Sequence, residues 1–126
     1  MGDCFVLGIP IEVDFLVTRR GAKATWGLLY SPDDVRVALE VKQLGAFPST
    51  IKKVRRNFRH LSVHCPRLAC AYVAIKERKG YKLAVTKAKI GYPAFALAVY
   101  RHPAKEFELT GGWERLLAFL RQTLNS

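Results

Sequence analysis

Apolar and polar residues alternate with period two between Ile11 and Thr18. Ile11, Val13, Phe15 and Val17 fall on one side, and Glu12, Asp14, Leu16 and Thr18 on the other, which predicts a strand. The same alternation returns from Val35 to Lys42, where Val35, Val37, Leu39 and Val41 oppose Arg36, Ala38, Glu40 and Lys42. Cys4 to Gly8 is a short apolar stretch, and Thr25 to Tyr30 reads as a further strand or a long hairpin arm. Turn residues at Arg19–Lys23 and Ser31-Pro32-Asp33-Asp34 separate these segments. After a connection over Gly45–Ser49 the period becomes helical, with Ser49 or Thr50 as N-cap. Ile51, Val54, Phe58 and Leu61 form one stripe, Lys52, Lys53, Arg55, Arg56 and Arg59 cover the rest, and Pro66 ends the element. Leu68–Ile75 and Ala94–Tyr100 are continuous apolar runs, the pattern of strands buried on both faces. Lys79 to Pro93 reads as a loop with a short helix. A last helix carries Trp113, Leu116, Leu117, Leu120 and Leu124 on one face. The order predicts an α/β fold, a three-layer α/β/α sandwich around a central mixed β-sheet, with residues 1–126 as one domain.

Composition narrows the class. The 126 residues are 50% hydrophobic and 25% charged, which excludes a disordered chain. No apolar run approaches the roughly 18 residues of a membrane span, so no membrane partner is expected. Three cysteines and an opening Met1-Gly2-Asp3-Cys4 without a basic n-region point to a reducing, cytoplasmic setting. Charge changes the picture most. The net charge is +11, and it is unevenly spread: residues 1–40 hold six acids against four bases, residues 41–126 hold 17 bases against four acids. No acid occurs from Val41 to Lys76. A field of one sign on this scale predicts a polyanionic partner, nucleic acid above all. The basic helix, with Lys52, Lys53, Arg55, Arg56 and Arg59, is where phosphates would be met.

The chemistry gathers on the two alternating strands. Glu40 and Lys42 share a face because residues two apart in a strand point the same way. If residues 11–18 and 35–42 pair antiparallel, with Gly27 at the apex, Asp14 lies opposite Glu40. Two adjacent carboxylates repel unless a cation sits between them. A hard ion such as Mg²⁺ takes one or two carboxylates together with water and phosphate oxygens, and the nearby Lys42 would orient or deprotonate the attacking water.

The strand Ile-Glu-Val-Asp-Phe-Leu-Val, the following Val-Ala-Leu-Glu-Val-Lys, the basic helix and the buried strand resemble the PD-(D/E)XK, or restriction-endonuclease-like, nuclease superfamily from Ile11 to about Ile75. The resemblance implies that Asp14 and Glu40 bind Mg²⁺, or Mn²⁺ in its place, with the main-chain carbonyl of Val41 as a further ligand. It implies that Lys42 assists hydrolysis of a DNA phosphodiester, as in restriction enzymes or junction resolvases. Many members begin with a helix carrying a further Glu; only ten residues precede the Asp-bearing strand here, and Glu12 is the candidate to stand in. The literal Pro32-Asp33 is a decoy, because Asp33 lies seven residues from Glu40, about 23 Å along an extended strand. The competing readings are a DNA-binding module of the same fold without cleavage, acting in a larger complex, and a non-catalytic RNA-binding protein. Breaking both strands of a duplex is simplest for a symmetric homodimer. His60, His64, Cys65 and Cys70 match no usual zinc spacing, and the five tyrosines show no regular interleaving with bases.

Overall fold

The computed structural model describes residues 4–27, 29–44, 48–77, 89–101, 106–109 and 111–125. In chain order the strands are β1 (Cys4–Val6), β2 (Ile9–Val13), β3 (Phe15–Thr18), β4 (Leu29–Tyr30) and β5 (Val35–Leu44). Helix α1 (Pro48–His64) follows, then β6 (Ala69–Glu77), β7 (Ala94–Arg101), β8 (Glu106–Leu109) and helix α2 (Gly112–Leu124). They form a mixed α/β fold with two mixed sheets, a five-stranded one in the order β3-β5-β6-β7-β8 and a three-stranded one in the order β2-β1-β4.

The second sheet corrects the expectation of one central sheet and of one strand from Ile11 to Thr18. The chain bends at Asp14, so that β2 pairs with β1 while β3 pairs with β5. The alternation slips by one residue at that bend. Ile11 and Val13 face the same core as Leu16, whereas Val17 faces the other core and Phe15 is exposed. The arm around Thr25–Tyr30 does not return directly to β5. Its end, β4, joins β1 in parallel.

The long strands follow the pattern more closely. β5, β6 and β7 are parallel and β3 and β8 flank them antiparallel. Successive residues of β5 and β6 point to opposite faces. Ala38, Cys70, Tyr72 and Ala74 join Ile51, Val54, Phe58 and Leu61 of α1 in one core. Val37, Leu39, Ala71 and Val73 join Leu116 of α2 in the other, against which Phe119 and Leu120 pack. Each fully buried Val, Leu or Phe of these stripes stabilises the fold by roughly 1.5–3 kcal/mol. Helix α1 starts at Pro48, one residue before Ser49 and two before Thr50, the expected caps, because proline's fixed φ suits a first helical turn. On α2 the buried stripe is Leu116 with Phe119 and Leu120, while Trp113 and Leu124 are exposed, contrary to the face read from the sequence. Strand β8 had no signal strong enough to read, and positions 79–88 of the expected loop lie outside the described residues.

Among the described residues Tyr72 is the largest fully buried side chain, and its hydroxyl has no hydrogen-bond partner there. Burial, and secondarily the charge of Glu40, push its phenol up to about 12. The unfolded chain releases this proton from about pH 10, so stability is full below pH 10 and falls as pH rises toward 12. Replacing Tyr72 with Phe removes both an unsatisfied polar atom and this titration. Urea unfolding at neutral pH should show Tyr72→Phe unchanged or more stable by about 1 kcal/mol. Between pH 10 and 12 the variant should lose less stability than the parent, by on the order of 2 kcal/mol. A variant clearly weaker at neutral pH would show that the hydroxyl is hydrogen-bonded after all.

Candidate active site

The register between β3 and β5 runs Phe15↔Leu39, Leu16↔Ala38 and Val17↔Val37. One more step sets position 14 against position 40. The ladder stops there because the side chain takes over from the backbone: Asp14 Oδ2 accepts the main-chain N–H of Val41 at 2.8 Å. Short acidic side chains compete with regular ladders in this way. The bond joins the bend between the two sheets to the middle of β5.

On β5, Ala38, Glu40 and Lys42 alternate toward the α1 side, and Val37, Leu39 and Val41 toward the α2 side. Lys42 Nζ lies 2.9 Å from Glu40 Oε1, with the carboxylate mostly covered and the ammonium about two-fifths exposed. The parallel pairing of β5 with β6 places Tyr72 beside Glu40.

These residues line an open cleft of about 400 Å³, walled by Pro10, Ile11 and Glu12 of β2, by Asp14, Glu40 and Lys42, and by Thr50, Lys53, Val54 and Asn57 of α1. The three carboxylates Glu12, Asp14 and Glu40 face two ammonium groups, Lys42 and Lys53, so the cleft is locally acidic within a chain of net charge +11. Its donors are hard carboxylate oxygens, a set suited to a hard divalent cation. The ammonium of Lys42 already places a positive charge against Glu40. Among the described residues, no three His, Cys, Asp or Glu side chains group tightly enough to hold a metal alone.

Of the five basic residues read as one surface, α1 presents two sets. Lys53 belongs to the cleft wall, with Thr50, Val54 and Asn57. Lys52, Arg55, Arg56 and Arg59 line a separate, shallower groove on the outer side of the helix. The signal was in the spacing, since both sets follow the i, i+3, i+4, i+7 rule. Asp33 and Asp34 lie in the turn before β5 and do not line the cleft; Asp34 pairs there with Arg19. His60 and His64 are exposed neighbours with ring centres 4.9 Å apart. Cys70 is buried beside Ser62, and desolvation pushes its thiol up to about 11.

No protein-family model matches the chain, and no curated protein is detectably similar to it in sequence. Solved structures do resemble it. The apo form of NucC from E. coli MS115-1 aligns with a TM-score of 0.58 at 12% identity, over 90% of this chain and 69% of that one. The cAAA-bound form of the same protein gives 0.58 at 10% identity, over 90% and 64%. The cAAA-bound NucC of P. aeruginosa ATCC27853 gives 0.56 at 10% identity, over 89% and 64%. The chain therefore spans about two-thirds of the length of these proteins and shares their fold.

Proposed function

We propose that this protein is a Mg²⁺-dependent DNA endonuclease of the PD-(D/E)XK type, with α1, α2 and the five-stranded sheet forming the three-layer α/β/α core of that group. The observation that carries the reading is the hydrogen bond from Val41 N–H to Asp14, which fixes the acid at the bend after β2 against the Glu40-Val41-Lys42 strand. The likeness to NucC, a nuclease with a PD-(D/E)XK-like fold, supports it.

Asp14, Glu40 and the carbonyl of Val41 are the residues that would hold Mg²⁺, or Mn²⁺ in its place. Bound there, the ion supplies Lewis-acid polarisation of the phosphoryl group. Lys42 would leave Glu40 and turn its Nζ to the attacking water, orienting it and offsetting charge on the phosphate. The water oxygen would form a new bond to phosphorus as the bridging P–O bond breaks, the water's proton passing to solvent and the departing oxygen taking one up from solvent, so that one strand is cut. Lys53 and Thr50 stand at the cleft wall to receive the flanking phosphates, and Lys52, Arg55, Arg56 and Arg59 extend that contact over the outer face of α1. A second copy, docking through the exposed Trp113 and Leu124 of α2, would supply the second cut.

One observation favours a second reading, a DNA-binding module that does not cut. Glu40 is already paired with Lys42, so one of the carboxylates an ion would need is engaged by a cation of the chain itself. A cleavage assay with Mg²⁺ or Mn²⁺ on linear, branched and single-stranded DNA separates the two. DNA binding without cutting under any of these conditions would establish the module.

In the same assay Lys42→Ala should cut about 10²- to 10⁴-fold more slowly, while calorimetry finds metal and DNA still bound. Asp14→Asn keeps an oxygen for Val41 N–H and should fold normally, yet lose metal binding and cleavage together. Asp33→Ala and Asp34→Ala should cut like the parent; dead turn variants beside an active Asp14→Asn would transfer the site to Pro32-Asp33. For the outer stripe, each lost phosphate contact lowers the salt slope of duplex binding by about 0.9. Arg55→Ala combined with Arg59→Ala should therefore flatten the slope by about 1.8 and weaken all sequences alike. An unchanged slope would leave those arginines as a merely solvated face.

A further inference from the structure

Trp26 is 85% exposed, more than any other large apolar side chain among the described residues. It is also their only non-glycine residue with positive φ, at +52°. A bulky side chain in left-handed backbone is uncommon, because glycine or asparagine fits such a turn with less strain. Thr25 and Leu29 exchange main-chain hydrogen bonds of 2.7 and 3.0 Å, and Gly27 continues the turn at φ +74°. Neither burial nor local conformation accounts for tryptophan at this position.

Its surroundings indicate what does. From Phe15 to Pro32 the chain carries Arg19, Arg20 and Lys23 and no acid. Arg19 is held by Asp34, while Arg20 and Lys23 are exposed. The small sheet brings this segment toward the cleft. Leu29 of β4 pairs with Phe5 of β1, and Cys4 of β1 pairs with Val13, the residue before Asp14. The Trp26 turn thus lies at the Asp14 end of that sheet, beyond β4 on the side away from β1, about three strand spacings from β2, or roughly 14 Å.

We infer that Trp26 stacks on an unpaired nucleobase while Arg20 and Lys23 meet the adjoining phosphates. An exposed aromatic among cations is the arrangement that binds single-stranded nucleic acid. The substrate class is accordingly DNA with an unpaired base near the cut, such as a branch, flap or single-stranded tract, in preference to continuous duplex. This deepens the nuclease reading and rests on it for the word substrate, but the binding is separable from cleavage.

The test uses the full chain without divalent ions, titrated with a single-stranded oligonucleotide and with a blunt duplex while tryptophan emission is followed. The single strand should quench the parent protein and Trp113→Phe, but not Trp26→Gly. Trp26→Gly should bind the single strand about 5- to 150-fold more weakly, with duplex affinity changed less than twofold; Trp26→Phe should retain part of the difference. Because glycine relaxes the turn, the melting temperature of Trp26→Gly should equal or exceed the parent's, which excludes misfolding as the cause. Equal single-strand affinity for parent and Trp26→Gly would overturn the inference. So would a drop in sedimentation mass on the same substitution, which would assign Trp26 to a protein interface. Binding without cleavage in the metal assay sinks only the nuclease reading, whereas no nucleic-acid binding at all sinks both.

Discussion

The carboxylate of Asp14 carries an unusual structural load for one half-buried residue. It accepts the N–H of Val41 from a position where the chain leaves one sheet and joins another. A hydrogen bond to a charged acceptor contributes roughly 1.5–3 kcal/mol, and this one also sets geometry. It stops the ladder of β3 at Phe15, turns β2 away to pair with β1, and fixes the upstream acid within one residue of both Glu40 and Lys42. The cleft wall formed by Pro10, Ile11 and Glu12 exists because β2 diverges at that point.

Around that bond the charge is arranged in two zones. The cleft holds three carboxylates against two ammonium groups, while the outer side of α1 carries four cations along one stripe. A polyanion would be drawn to the protein by the second zone and repelled locally by the first until a cation lies between. Such a division lets attraction and chemistry be governed by different residues on one short piece of chain.

Much of this was legible in the sequence, and the losses have definite causes. Period two on Val35–Lys42 and period 3.6 on Ile51–Leu61 read correctly because each element buries one or both faces along its whole length. The antiparallel register that opposes positions 14 and 40 also follows from arithmetic on the chain. The break at Asp14 was hidden because the alternation runs through it; only a side-chain-to-backbone bond across 27 residues ends the strand. The outer stripe of Lys52, Arg55, Arg56 and Arg59 was present in the spacing, whereas the place of Lys53 on the cleft wall depends on where β2 lies, which the spacing does not give. Trp113 and Leu124 misled because apolar residues at helical spacing mark a face only when something covers it. Tyr72 sat unnoticed in an apolar run, where nothing in sequence tells a packed phenol from one standing beside a carboxylate.

The stripe on α1 has a thermodynamic side. Lys52, Arg55, Arg56 and Arg59 stand three and four residues apart, and like charges at those spacings oppose helix formation. The first turn of the helix carries no acid to offset the macrodipole. Its helicity is therefore sustained chiefly by the buried residues Ile51, Val54, Phe58 and Leu61 on the opposite side. A bound polyanion relieves that repulsion in the folded state alone, so ligand affinity and folding free energy are linked quantities here. With the proposed polyanion in its groove, the protein would be at its most stable, and it would be at its least when stripped of anions in dilute buffer.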